Sequence, residues 1–527
     1  MSFTTITFLA WLALVMLLYY RVPPARRWWV ILAANIWFYL SLDTKGILAL
    51  AAASGLSWYA ALRIGRLQTM AADWKRANKA LPKEERRAGL AVYEKREKRW
   101  VALAALAALG VLFLVKYYGE LAQSLNRAAG LSLWRAENLL IPLGISYYSF
   151  FLISYVIDVY RTVIEPEKNI LRVFCFAGFF LSITQGPFGR YGELMPQIDE
   201  SPAFSGQRFW RGAKRMAWGY FMKMAVADRA AIITAYAFQN PMRCTGAQLA
   251  FAMACFGVQL YTDFCGYSHI MLGAGEILGL TLPENFRQPF FSHNMSEFWN
   301  RWHITLGAWL KDYVFYPVLQ SAPIKALGTA LKPKLGKKNA AQVQTYLALL
   351  ILWFSIGLWH GAGFNYVFGV GLLQFCYIAS GMLCAPLLKK ANEVLHTEKF
   401  PLVWRIWQGI RCTLLMIFAW VFFQADSFGE ALVFLRRMLT GFALSDVNLG
   451  SFTAMGVNRM GLLMLFYGVL LVFMVDLAHE KGLSLRDQLQ KLPLLPKVLC
   501  YQLAMWSMVM LGIFLSTGSG TFLYARF

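Results

Sequence analysis

Two histidines in apolar surroundings are the residues of this sequence best suited to acid–base chemistry. His360 closes the run YLALLILWFSIGLWH, which continues as GAGFNYVFGVGLL, and His303 sits inside SEFWNRWHITLGAWLKDYVFYP, residues 296–317. A neutral imidazole, with an ordinary pKa of about 6.5, can take a proton from a hydroxyl at neutral pH, and an apolar site favours that neutral form. For His360 this role and a plain hydrogen bond between helices are equally open. Gly361 and Gly363 beside it leave room for backbone or substrate to approach. If the run from 344 climbs about 1.5 Å per residue from a cytoplasmic loop, the imidazole lies roughly 25 Å along, past the bilayer midplane or nearer it on a tilted helix.

His303 has a different neighbourhood. At helical spacing Trp302, Trp309 and Tyr313 fall near one face, while Arg301, Lys311 and Asp312 supply charge, so the segment reads as a helix lying at a membrane interface. That reading accounts for the aromatics but not for the histidine. Two further clusters hold ionisable groups among apolar residues, where they are costly and therefore candidates for function. In QLYTDFCGYSHIMLGAGEILGL, the spacing of Asp263, His269 and Glu276 favours structural pairing with Lys223 or Arg229 over catalysis. In ITQGPFGRYGELMPQI, Arg190 can clamp a phosphate or carboxylate, or anchor at headgroups.

Other common chemistries lack their signatures. GxSxG, HExxH, a phosphate-cradling glycine loop with lysine, and DxDxDG are all absent from the sequence. The eight cysteines are scattered without a CxxC pair, which points to small packing residues and to no metal site or disulfide framework.

The elements that must position these groups are membrane helices. Of 527 residues, 58% are hydrophobic and only 15% charged, with a mean hydropathy of +0.47. Soluble domains carry roughly 25% charge, so the chain reads as an integral membrane protein. The net charge of +23 falls between apolar runs, as the positive-inside bias produces, which argues against nucleic acid. Apolar runs near 3–20, 28–62 (two), 101–118, 139–160, 173–188, 214–238, 247–281, 344–360, 364–387, 405–424, 459–478 and 497–517 predict about 11–13 transmembrane or re-entrant helices. The first run lacks a basic start and reads as an uncleaved span. Pro142, Gly144, Gly186 and Pro187 interrupt runs, and 247–281 is too long for one upright helix, so broken or re-entrant helices are expected. Residues 63–100 carry twelve basic against five acidic residues in a helical pattern, and 321–343 carry five lysines and no acid. Both are expected to be cytoplasmic, the first as a surface helix on anionic lipid. No repeat or composition break divides the chain, so a single membrane domain over 1–527 is the simplest account.

Several long motifs occur in order: IPLGISYYSF with DVYR, QGPFGRY, YTDFCGYSHIMLGAGEILGLTLPENFRQPF, SHNMSEFWNRWHITLGAWLKDYVFYPV, GLWHGAGFNYVFGV, FAWVFFQADSFGEALVFLRRML and the closing GTFLYARF. In these the chain resembles the membrane-bound O-acyltransferase (MBOAT) superfamily from about residue 139 onward. More narrowly it resembles the bacterial branch that serves alginate O-acetylation, peptidoglycan O-acetylation and teichoic-acid D-alanylation.

The resemblance implies an all-α polytopic fold with a ring of helices around a central tunnel, core motifs over 139–387 and further helices over 405–527. It implies His360 as catalytic base toward an acceptor hydroxyl, or as the group polarising the thioester, and His303 as a second site histidine on the donor side. Trp299, Asn300, Arg301, Trp302, Asp312, Trp359, Asn365, Arg190 and Asp263 follow as substrate or tunnel residues. No cofactor is expected to be bound. The donor is expected to be acetyl-CoA or the phosphopantetheine thioester of an acyl carrier protein, and the acceptor an extracytoplasmic cell-surface polysaccharide. Membrane lipids and a separate SGNH-like extracytoplasmic transferase are the expected partners, and the bacterial cytoplasmic (inner) membrane the expected location. A lipid or glycan transporter fits the composition as well, but the inverted repeats common in transporters are not visible.

Overall fold

The computed structural model describes residues 2–130, 141–200, 202–361, 363–483 and 485–508. Ala362, the start of the 139–160 run, the end of the 497–517 run and the closing GTFLYARF lie outside these. The described residues are overwhelmingly helical. No strand occurs among them, only an isolated antiparallel bridge between Phe286 and Trp302. Among the described residues, seven helices are long and apolar enough to cross a membrane, and Ile6–Arg21 and Ile145–Tyr160 are shorter apolar helices. The residues group into two compact units, Met1–Ala213 with Met271–Pro283, and Lys214–Ile270 with Glu284–Phe527.

In the first unit, polar side chains hold the places where helices stop. Asp43 accepts from the backbone N–H of Gly46, which starts the Gly46–Ala77 helix, and from Leu143 N–H at 3.0 Å. Tyr39 donates to the Leu143 carbonyl at 2.8 Å, so one carboxylate and one phenol fix the Pro-Leu-Gly entry to Ile145–Tyr160. Gly144 there has φ of 68°, and a Cβ would lie 2.3 Å from the Ile183 carbonyl oxygen, so only glycine fits. The 173–188 run is not a full crossing. Ile170–Ala177 ends within it, and the buried Asn35 amide donates to Cys175 O and accepts from Phe180 N–H, satisfying backbone the helix has released.

The basic stretch 63–100 differs from the expected surface helix. It is the facing ends of two long helices, Gly46–Ala77 and Lys83–Ala129, joined through 78–82. Helix propensity simply continues from the apolar part into the charged part, because Lys, Arg, Glu and Ala are all strong helix formers.

The second unit contains the two histidines. Gly246–Ile277, whose residues up to Ile270 belong to this unit, is one 32-residue helix, where a broken span was expected. The 321–343 loop is also helical: Ala322–His360 comprises two helices that meet at a kink at Gly336, whose φ is 76°. Residues 364–383 contain a π-helical stretch, Val367–Leu372, between Phe364–Tyr366 and Leu373–Leu383. This π-helical stretch packs closely on the Ala322–His360 helix. At Gly357 a Cβ would come within 2.8 Å of Val367 Cα, and at Gly371 within 2.8 Å of Trp353 O. Two backbones in near contact thus fix the height and rotation of the turn that ends in His360.

Candidate active site

The segment around His303 is not one interfacial helix. Two short helices, Met295–Arg301 and Ile304–Leu310, are separated at Trp302 and His303, and a π-helical turn, Lys311–Phe315, follows. His303 has φ of 48° and ψ of 50°, a left-handed conformation that costs a non-glycine residue about 1–2 kcal/mol. Pairing with the preceding loop holds it there. Arg287 N–H donates to Arg301 O at 2.9 Å and Ile304 N–H to Asn285 O at 3.0 Å, on either side of the Phe286–Trp302 bridge. Phe298, Trp302, Trp309 and Tyr313 are buried, with Trp302 only 2% exposed. Its ring meets Phe286, Phe298 and Trp420 at 5.0–5.6 Å between centroids. Each such pair contributes about 0.5–1.5 kcal/mol beyond its burial, enough together to offset the strained backbone.

The His303 imidazole is buried, with Nδ1 3.0 Å from Asn285 Oδ1 and the ring edge-on to Phe264 at 4.7 Å. Burial first, and repulsion from His360 second, push its pKa well below the ordinary histidine value, so the ring is neutral at physiological pH. His360, 57 positions later, closes its helix against the Phe423 ring at 5.6 Å. Both histidines line one cavity of about 420 Å³, within the size range of small-molecule sites. Its walls are mainly aromatic and aliphatic, from Trp299, Trp302, Trp353, Trp420, Phe423 and Ile356. Ser296, Asn300 and Gln374 add polar groups, and Lys311 is the one charged side chain among the described lining residues. Two of the π-helical turns, 311–315 and 367–372, contribute to the wall, in keeping with the occurrence of such turns at functional sites. A second cavity of about 680 Å³ shares Ser296 and Ile378 with the first and carries Tyr377, Ser380 and Arg411.

The model of the membrane-bound O-acyltransferase family matches residues 167–331. The probable alginate O-acetylase AlgI of Pseudomonas aeruginosa is 33% identical over 386 residues, covering 71% of this chain and 67% of that one. The chain belongs to the MBOAT family. It is therefore a multi-pass membrane acyltransferase of all-α fold. Two other relatives extend the likeness. The peptidoglycan O-acetyltransferase of Helicobacter pylori is 24% identical over 451 residues, 80% of this chain and 75% of that one. The teichoic acid D-alanyltransferase of Bacillus subtilis is 28% identical over 263 residues, 49% of this chain and 62% of that one.

Within this MBOAT chain the expected site residues divide into two groups. Trp299, Asn300 and Trp302 line the cavity with His303 and His360, and Trp299 donates its indole N–H to Gln374 Oε1 at 3.2 Å. The others lie elsewhere. Arg301 is bound by Glu480 at 2.6 Å and Glu297 at 2.7 Å, a cluster that joins the Met295–Arg301 and Arg459–Glu480 helices. The Glu480 contact, outweighing burial, raises the Arg301 pKa. Burial alone would raise Glu297, but the His293 backbone N–H and Arg301 bring it below the ordinary carboxylate value. Asn365 donates to Phe422 O and Ala425 O, satisfying carbonyls at the end of Pro401–Gln424. Trp359 packs edge-on to the neighbouring His360 ring but does not line the cavity, and neither does Asp312. Arg190 belongs to the first unit, just before the Tyr191–Asp199 helix.

Asp263 pairs with Lys223 at 2.7 Å, one of the two partners its spacing suggested, and Lys223 also holds Asp228 at 2.8 Å. Glu276 and His269 find other bases, Arg211 and Arg215. Sequence reasoning passed over Asn285, Gln374, Trp353, Trp420 and Phe423. Trp353 and Ile356 lie seven and four positions before His360, so helical periodicity counted back from that histidine points to both.

Proposed function

We propose that this acyltransferase takes an acetyl group from a cytosolic thioester, acetyl-CoA or a phosphopantetheine carrier, and delivers it for O-acetylation of an extracytoplasmic cell-surface polysaccharide in a bacterial cytoplasmic membrane. The observation that carries the reading is the convergence of His303 and His360 on one largely apolar cavity. Similarity to AlgI, which exceeds that to the D-alanyltransferase in identity and in coverage of this chain, favours acetyl over D-alanyl and a polysaccharide acceptor. In the step proposed, His360 accepts the proton of an attacking hydroxyl as its oxygen bonds to the thioester carbonyl carbon. The C–S bond breaks and the proton passes to the departing thiolate. The hydroxyl belongs to the polysaccharide or to a separate SGNH-like extracytoplasmic partner that completes the transfer.

The test is acyl transfer by the full-length protein in membrane vesicles, with labelled acetyl-CoA, acetyl carrier protein and D-alanyl carrier protein offered in turn. Replacing His360 by alanine is expected to cost about 10²–10⁴ in rate while donor binding and folding persist. Undiminished transfer by that variant would overturn the role of His360, and transfer of D-alanyl alone would overturn the acetyl reading.

A further inference from the structure

Asn285, in the loop before the site, holds His303 through one atom. Its Oδ1 lies 3.0 Å from His303 Nδ1, 2.9 Å from Thr305 Oγ1 and 3.3 Å from Thr305 N. The last contact decides the orientation. A backbone N–H can only donate, so the amide must present its oxygen and not its NH₂ to this cluster. The same oxygen then requires a donor from the imidazole. We infer that Asn285 is a positioning residue that locks His303 as the Nδ1–H tautomer, placing the ring's lone pair on Nε2 and making His303 a proton acceptor at that atom.

The choice of side chain fits this use. Asn285 is fully buried, and its Nδ2 has no hydrogen-bond partner among the described residues, so the side chain acts through its oxygen and leaves its amide group unsatisfied. A carboxylate in its place would accept from the same three donors but would add a negative charge and draw a second proton onto the ring. Asparagine fixes the tautomer and leaves the imidazole neutral. The titratable group that acts on this ring is His360, whose charged form disfavours a charge on His303. The two histidines therefore suit sequential use of a single proton better than simultaneous protonation. That mechanistic meaning rests on the acyl-transfer reading, whereas the tautomer itself does not.

The deciding measurement is nitrogen NMR of the full-length protein, labelled with ¹⁵N-histidine in lipid nanodiscs at neutral pH, with the His303 signals assigned by their loss in His303→Gln. A protonated Nδ1 and unprotonated Nε2 are expected. The reverse pattern, or one averaged signal from exchanging tautomers, overturns the inference. Asn285→Asp should keep Nδ1 protonated while moving the ring's titration midpoint, and the acidic limb of the acyl-transfer pH profile, upward by about one unit. An unmoved midpoint would show that Asn285 does not act on the ring. Thr305→Val removes one donor without touching the imidazole and should leave the nitrogen pattern unchanged. The spectrum is read without turnover, so a missing acyl transfer with the expected tautomer would sink the proposed function and spare this inference.

Discussion

His303 combines three unfavourable circumstances: a left-handed backbone, near-complete burial, and a second histidine close enough to repel a charge. Natural chains keep such strain where the surrounding structure over-determines it, and it concentrates at functional sites. A measurable consequence concerns pH. The folded-state pKa of His303 is depressed below the unfolded value of about 6.5. Above that pH neither state is protonated and stability is unaffected. As pH falls below it, the unfolded chain takes up a proton that the folded chain refuses, and stability drops by up to about 1.4 kcal/mol per pH unit. Thermal unfolding of wild type and His303→Gln between pH 7.5 and 5 should therefore diverge from a constant offset only below about 6.5, with wild type losing ground. An offset that stays constant down to pH 5 would contradict the depressed value. Arg301 shows the opposite case. In sequence it looked like a site residue because it adjoins Trp302 and His303, yet its charge is spent on two carboxylates that tie helices together. Adjacency along the chain could not separate a residue facing the cavity from one facing the scaffold.

The helices of this protein were legible where an apolar run continues over many turns, as in Pro401–Gln424 and Arg459–Glu480. The interruptions were not, because their causes lie elsewhere in the chain. The break at Trp302–His303 is set by hydrogen bonds to residues 285 and 287, and nothing in the local spacing announces it. The π-helical turn 367–372 is another case, its close packing set by its own Gly371 and by Gly357 on the helix it packs against. That crossing can be tested directly. Gly357→Val places a side chain into the Val367 backbone and should abolish assembly of the cavity, read as loss of monodisperse protein in detergent. Gly381→Ala, in the Leu373–Leu383 helix with open space around it, should be neutral or slightly stabilising. Equal tolerance of both would mean that the close backbone contact does not hold the site together.

At the scale of the molecule, charge distribution is the sequence feature with the widest reach. The basic stretches 63–100 and 321–343 belong to different units, and the positive-inside bias predicts a cytoplasmic location for each. Single cysteines at positions 79 and 338, in a cysteine-free background, should react with an impermeant maleimide in inside-out vesicles and stay unlabelled in right-side-out ones. Labelling on opposite faces would refute the topology. The family was readable because its motifs are long and ordered, whereas the substrate was not, because acetyl and D-alanyl transfer share those motifs. The cavity itself bears on that choice. Its single charged described lining residue is Lys311, and no carboxylate joins it. An acetyl group is neutral, but a D-alanyl group brings an ammonium that would lose water on entering and find a like charge with no counterion. On the acyl-transfer reading proposed above, the pocket is expected to act as a charge filter on the cargo, and introducing an acid among its walls is the change expected to begin opening it to amino acids.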